Sequence, residues 1–148
     1  METLKIKDKM EILKNYNLFV LAEENELNEE SLHILMERYI KSNVRIQIFS
    51  KKEACMKCIE EAEIKPDIIV LFHKLNLKSP DDIYTMHTMD EIKKISPKSA
   101  VIIVSEAKDM TAAVKSLRHG AQDYILKDQF LFPHIADSVN QCLKPSKV

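Results

Sequence analysis

Five short apolar runs punctuate the chain, with amphipathic stretches between them. "LFVLA" (Leu18 to Ala22) is the first. "VRIQIF" (Val44 to Phe49) alternates apolar and polar positions, as an edge strand does. "DIIVLF" (Asp67 to Phe72) and "AVIIVS" (Ala100 to Ser105) are continuous, the pattern of strands covered on both faces. "DYILK" (Asp123 to Lys127) is the fifth.

The intervening stretches carry helical spacing. Asn28 to Ile40 places Leu32, Leu35, Met36 and Tyr39 on one side. Ser50, three residues before Glu53, predicts a capping box for the next helix, whose apolar face is Ala54, Cys55, Cys58, Ile59 and Ala62. Between Asn76 and Pro97, "KSPDD" predicts a turn and a helix start, with Tyr84, Met86, Met89 and Ile92 inward. Asp109 to His119 carries Met110, Ala113, Val114 and Leu117. Lys115, Arg118 and His119 near its end suit the helix dipole, and Gly120 suits the left-handed position beyond. Pro133 fits the first turn of a last helix through "HIADSVNQCL". The alternation predicts an α/β fold, a parallel sheet with helices on both faces and right-handed crossovers. Residues 1–15 are expected to form an N-terminal arm, 16–144 the domain and 145–148 a tail.

Composition narrows the function classes. The 148 residues suit one domain, and 45% hydrophobic with 30% charged residues is an ordinary soluble composition. A net charge of −1 and the absence of a long basic run argue against nucleic acid or an anionic membrane as partner. No apolar run approaches a membrane span and the N-terminus has no signal-peptide core, so a cytoplasmic location is expected. The three cysteines fit a reducing compartment. Cys55 and Cys58 form a CxxC, but on a helix face, where they are expected to be small core residues; zinc would need two more ligands. Gly120 is the only glycine, so neither a P-loop nor a dinucleotide fingerprint can be written. A kinase-type or nucleotide-hydrolysing mechanism is not expected on that ground, and the chain is not expected to be an enzyme.

Ligands of open α/β sheets bind beyond the carboxyl ends of the strands. The first strand runs into Glu23 and Glu24, the third ends at Phe72, the fourth at Ser105, and the fifth at Lys127 with Tyr124 three residues earlier. An acidic pair, a hydroxyl and a lysine on one rim suit a divalent cation and a phosphoryl group: carboxylates hold the hard cation, hydroxyl and ammonium the phosphoryl oxygens.

In these features the chain resembles the receiver domain of two-component response regulators, the CheY-like family, from about Leu18 to Leu143. "EENELNEESL" resembles the family's acidic pair and first helix, and "KPDIIVLF" its third strand. "VIIVSEAKDMTAAVKSLRHGAQDYILKD" resembles the fourth strand through the fifth and is the most specific piece. The resemblance implies a flavodoxin-like, five-stranded doubly wound sheet of order 2-1-3-4-5. It implies a mechanism in which a histidine kinase phosphorylates an aspartate ending the third strand. Magnesium is held there by the acidic pair and that aspartate. The hydroxyl and lysine then follow the phosphoryl group, an aromatic on the fifth strand rotates, and the face of the fourth helix, fifth strand and fifth helix changes partners. By position, Glu23 and Glu24 match the acidic pair, Ser105 the hydroxyl, Lys127 the lysine and Tyr124 the aromatic.

The acceptor position falls on Phe72, whose benzyl group can neither form an acyl phosphate nor ligate magnesium. Asp67 lies five residues back, about 16 Å toward the other end of the strand. Asp81 and Asp82 belong to the next segment, and His73 points to the opposite face from Phe72. Glutamate replaces the usual aspartate at the acidic pair, which weakens magnesium binding. Asp128 stands where the family has proline, so no cis bond is expected after Lys127. The expectation is a pseudo-receiver lacking the phosphoacceptor aspartate and independent of phosphorylation. It would act through protein contacts of the fourth helix–fifth strand–fifth helix face, with a histidine kinase, an output protein or a second copy as partner. No cofactor is expected beyond weak magnesium at Glu23 and Glu24. Phe72 is expected to plug the pocket, and Lys127 to pair with Glu23 or Glu24. Two alternatives stay open: a working phosphoacceptor on a non-standard residue, and a flavodoxin-like cofactor binder. The carboxylates of "EENELN" would repel the flavin phosphate of the latter.

Overall fold

The computed structural model describes residues 15–22, 30, 33, 38–40, 43–73, 83–106 and 110–143, with the backbone alone at 73, 83–85 and 110–112. Five strands form one parallel sheet: β1 (Tyr16–Leu21), β2 (Val44–Phe49), β3 (Ile68–His73), β4 (Ala100–Ser105) and β5 (Asp123–Leu126). Their spatial order is β2-β1-β3-β4-β5. The expected sheet and its order are therefore observed, with boundaries shifted by at most two residues. The helices are α1 (Lys52–Glu61), α2 (Ile83–Ile95), α3 (Met110–Arg118) and α4 (Leu131–Cys142). Helical backbone at Glu30, His33, Arg38 and Tyr39 falls in the first helix of the sequence pattern. The fourth and fifth helices of that pattern are thus α3 and α4.

Strand alternation divides the apolar side chains between two faces. On one face Leu18, Val20, Ile68, Val70, Ile102 and Val104 meet Ile135, Ala136 and Val139 of α4. On the other, Phe19, Ile69, Leu71, Val101 and Ile103 meet Cys55 and Ile59 of α1 and Met89 and Ile92 of α2. Phe19 and Phe49 add a tilted ring pair at 5.2 Å between centroids. A Lys52–Glu91 ion pair of 3.1 Å ties α1 to α2, and His87 reaches the same carboxylate at 2.9 Å.

Three local expectations are corrected. The capping box is not formed: the N-cap of α1 is Lys51, in extended conformation, and no side chain caps it. The Ser50–Glu53 spacing is one residue out of frame with the helix start. Ala54 is exposed, so the inner face of α1 is Cys55 and Ile59, with Met56 and Cys58 half-buried beside them. On α3, Val114 (41% exposed) and Leu117 (49%) face outward while Ser116 is buried.

The end of α3 behaves as Gly120 predicts. Ala121 N–H donates to the Ser116 carbonyl at 3.0 Å and Gly120 N–H to the Leu117 carbonyl at 3.1 Å. This is the paired bonding of a Schellman cap, and Gly120 has φ +103°. A Cβ at Gly120 would meet only Lys93 Cε, at 3.6 Å, an ordinary contact. Gly120→Ala is therefore expected to cost about 1–2 kcal/mol from backbone conformation alone, read as a lower urea midpoint with unchanged m-value.

The amino ends of the strands are consumed by structural bonds. Asp67 accepts the Asn17 N–H at 2.8 Å, and its carbonyl accepts the Ala100 N–H at 3.0 Å. Buried Ser99 donates to the Pro66 carbonyl, and Lys93 Nζ donates to the Ser99 carbonyl at 2.7 Å. The opposite rim is where the sequence places its candidate chemistry.

Candidate functional site

Strand register brings three of the expected positions to neighbouring strand ends. Phe72 of β3 lies opposite Val104 of β4, one residue short of the His73–Ser105 pair. Ser105 also lies opposite Leu126 of β5, and Lys127 N–H donates to the Ser105 carbonyl at 2.7 Å. Tyr124, three residues before Lys127, lies opposite Ile103. Glu23 and Glu24 follow β1 in the chain but lie outside the described residues, as do Asp81 and Asp82.

The side chains at this rim divide by face. Phe72 is half-buried and packs against the cluster that contains Val70, Val104 and Ile135. It is a wall rather than a fully enclosed plug. Ser105 is completely buried, and alternation along β4 puts it on the opposite face from Val104. Tyr124 is half-buried against the second cluster, with Ile103 and Ala121.

Lys127 has a partner the sequence did not indicate. Its Nζ lies 3.6 Å from Oε1 of Glu106, the residue that follows Ser105. The lysine is about a quarter exposed and the glutamate 61%, so the pair contributes under about 1 kcal/mol. The expected pairing with Glu23 or Glu24 falls outside the described residues. Asp128, in the position of the family's usual proline, leads into the last helix instead. Its Oδ1 accepts the Phe130 N–H at 2.8 Å and its carbonyl the Leu131 N–H at 3.1 Å. A proline could supply only the second of these acceptors.

Among the described residues no group of three or more His, Cys, Asp or Glu side chains could hold a metal ion. At the rim β3 presents the Phe72 ring, which offers no oxygen to a hard cation, and Glu23 and Glu24 lie outside the described residues. Asp67 is no substitute, since it lies at the amino end of β3 and is bonded to Asn17. No described helix is long and apolar enough to cross a membrane.

The response regulator receiver domain family matches residues 19–138 of the chain. The chain belongs to that family. Its fold is shared by solved receivers of low sequence identity. A response regulator receiver domain protein from Clostridium thermocellum superposes with a TM-score of 0.68 at 20% identity, covering 86% of this chain and 94% of its own. A CheY-like receiver domain protein from Methanospirillum hungatei gives 0.66 at 18%, covering 88% and 94%. A LuxR-family DNA-binding response regulator from Staphylococcus aureus gives 0.66 at 19%, covering 87% and 99%. No curated protein sequence matches the chain. As a receiver domain of two-component response regulators it is a signalling module, of the kind that works with kinases and output domains.

Proposed function

We propose that this receiver signals without taking a phosphoryl group, through protein contacts of the face made by α3, β5 and α4. The observation that carries the proposal is Phe72, a hydrocarbon ring packed against the core where the family carries its acceptor aspartate. Without that carboxylate there is no atom to form the acyl phosphate and one fewer oxygen for magnesium. The Lys127–Glu106 pair supports the same reading, because the ammonium that would follow a phosphoryl group already has a carboxylate beside it. Glu23 and Glu24 then hold magnesium weakly or not at all. Ser105 and Tyr124 keep their places in the packing without a phosphoryl group to respond to. The partner is a histidine kinase, an output protein or a second copy of the chain, met at a face that exposes Val114 and Leu117.

Amide NMR spectra with magnesium and then beryllium fluoride test the proposal. Beryllium fluoride mimics an acyl phosphate on a working acceptor. The expected result is that the amides of Ser105, Tyr124 and Lys127 do not move. Shifts that spread from Ser105 to Tyr124 would show a working acceptor and end the proposal.

A further inference from the structure

The strand β2 pairs with β1 on one side, and no described strand lies on the other. It keeps one register with β1 from Val44 to Phe49, without a bulge. Asn43 and Phe49 turn their carbonyls to β1, where the Tyr16 and Ala22 N–H groups donate to them at 2.9 Å. By alternation along the strand, Val44, Ile46 and Ile48 direct their N–H and C=O groups away from β1. Those groups have no partner among the described residues. The side chains alternate as well. Val44, Ile46 and Ile48 are half-buried against the cluster that holds Leu18 and Val20, and Arg45 and Gln47 are exposed on the other face. Protein edges are commonly blunted by proline, lysine or a bulge, and β2 carries none of these.

The edge is complementary to itself. A second copy related by a two-fold axis meets it antiparallel. With the axis on Ile46, that residue lies opposite Ile46 of the second copy, Val44 lies opposite Ile48, and Arg45 lies opposite Gln47. Every outward N–H then meets an outward C=O, about six hydrogen bonds in all. The apolar side chains continue one face, and each Arg45 guanidinium faces a neutral amide on the other. The neighbouring registers are worse. An axis on Arg45 sets two guanidinium groups directly opposite each other, which is destabilising. An axis on Gln47 runs Val44 past the partner strand, to Ser50. We propose that two copies of the chain join β2 to β2 antiparallel about Ile46, so that their five-stranded sheets become one. This surface lies at the opposite edge of the sheet from β5, and the pairing does not depend on whether the chain takes a phosphoryl group.

Sedimentation velocity of the full chain between about 10 μM and 1 mM reads the association, because so short an edge buries less than a standard interface. The expected result is a reversible monomer–dimer equilibrium, with the ¹⁵N amides of Ile46 and Ile48 shifting as concentration rises. Gln47→Glu sets a carboxylate opposite Arg45 at two symmetric places and is expected to tighten the dimer roughly five- to tenfold. Gln47→Arg sets like charges there and is expected to weaken it by a similar factor. Position 47 is exposed, so both variants keep the fold. A chain that stays monomeric across the range overturns the proposal, as does an affinity that is the same in the two variants. Concentration-dependent shifts at Val114 and Leu117 in place of Ile46 and Ile48 also overturn it, because the copies then meet at the other face. Slow amide exchange at Ile46 and Ile48 in the monomer overturns it too, because another part of the chain then covers the edge.

Discussion

Replacing Phe72 by aspartate is expected to convert a chain that acetyl phosphate leaves unmodified into one that it phosphorylates. The register places position 72 beside the strand ends that carry Ser105 and Lys127. A carboxylate there would attack the phosphorus of acetyl phosphate, break its bond to the acetyl oxygen and release acetate, leaving an acyl phosphate on the protein, with Lys127 at hand to exchange Glu106 for a phosphoryl oxygen. The substitution loses the packing of a half-buried ring, about 1 kcal/mol, which a native-like amide spectrum would show the fold to tolerate. Intact-mass spectrometry in magnesium and acetyl phosphate reads the outcome, with hydroxylamine removing a true acyl phosphate. The expected result is no adduct on the wild type and a hydroxylamine-sensitive adduct on Phe72→Asp. An adduct on the wild type would mean that another residue is an acceptor. A folded Phe72→Asp that takes no phosphoryl group would mean that the rest of the rim has lost the site as well.

The sheet was legible in the sequence because each strand has a burial pattern of its own. Continuous apolar runs at Ile68–His73 and Ala100–Ser105 could only be covered on both faces, and the alternating Val44–Phe49 run sits at the edge with Arg45 and Gln47 exposed. The orientation of α3 was not legible. Helical spacing favours Val114 and Leu117 as its inner face, yet the buried residue is Ser116, and its carbonyl takes the closing bond of the cap. A small residue inside lets the helix come close and leaves the larger ones outside, on the surface proposed to meet partners. At the rim, the spacing of Phe72, Ser105 and Lys127 follows from strand lengths and could be read directly. The partner of Lys127 could not. Glu106 reaches it because β4 and β5 end side by side, with Ser105 opposite Leu126, 21 residues later in the chain.

The largest stability effect is expected in alkaline solution, at Cys55. This thiol is completely buried against the sheet, and burial first, then the neighbouring Cys58, pushes its pKa from 9.0 up to about 12. In the unfolded chain the thiol releases its proton near pH 9, whereas in the folded chain it keeps it. The unfolded state therefore binds fewer protons above pH 9, and stability falls as pH rises. Cys55 contributes its full share below pH 9 and loses it between pH 9 and 12, on the order of 4 kcal/mol across that window. Lysines and tyrosines titrate in the same range, so the informative quantity is the difference between the wild type and Cys55→Ala. At neutral pH the variant is expected to be less stable by about 1 kcal/mol, from the lost sulfur packing. Above pH 9 urea titrations should show the gap closing by about 1.4 kcal/mol per pH unit and then reversing. Parallel curves would mean that the folded protein ionises Cys55 as readily as the unfolded chain does. Half-buried Cys58, whose thiol lies 3.7 Å from Gln47 Oε1, serves as the internal control. A thiol reagent should modify Cys58 in the folded protein and Cys55 only as fast as α1 lifts from the sheet, which measures the opening that the alkaline titration infers.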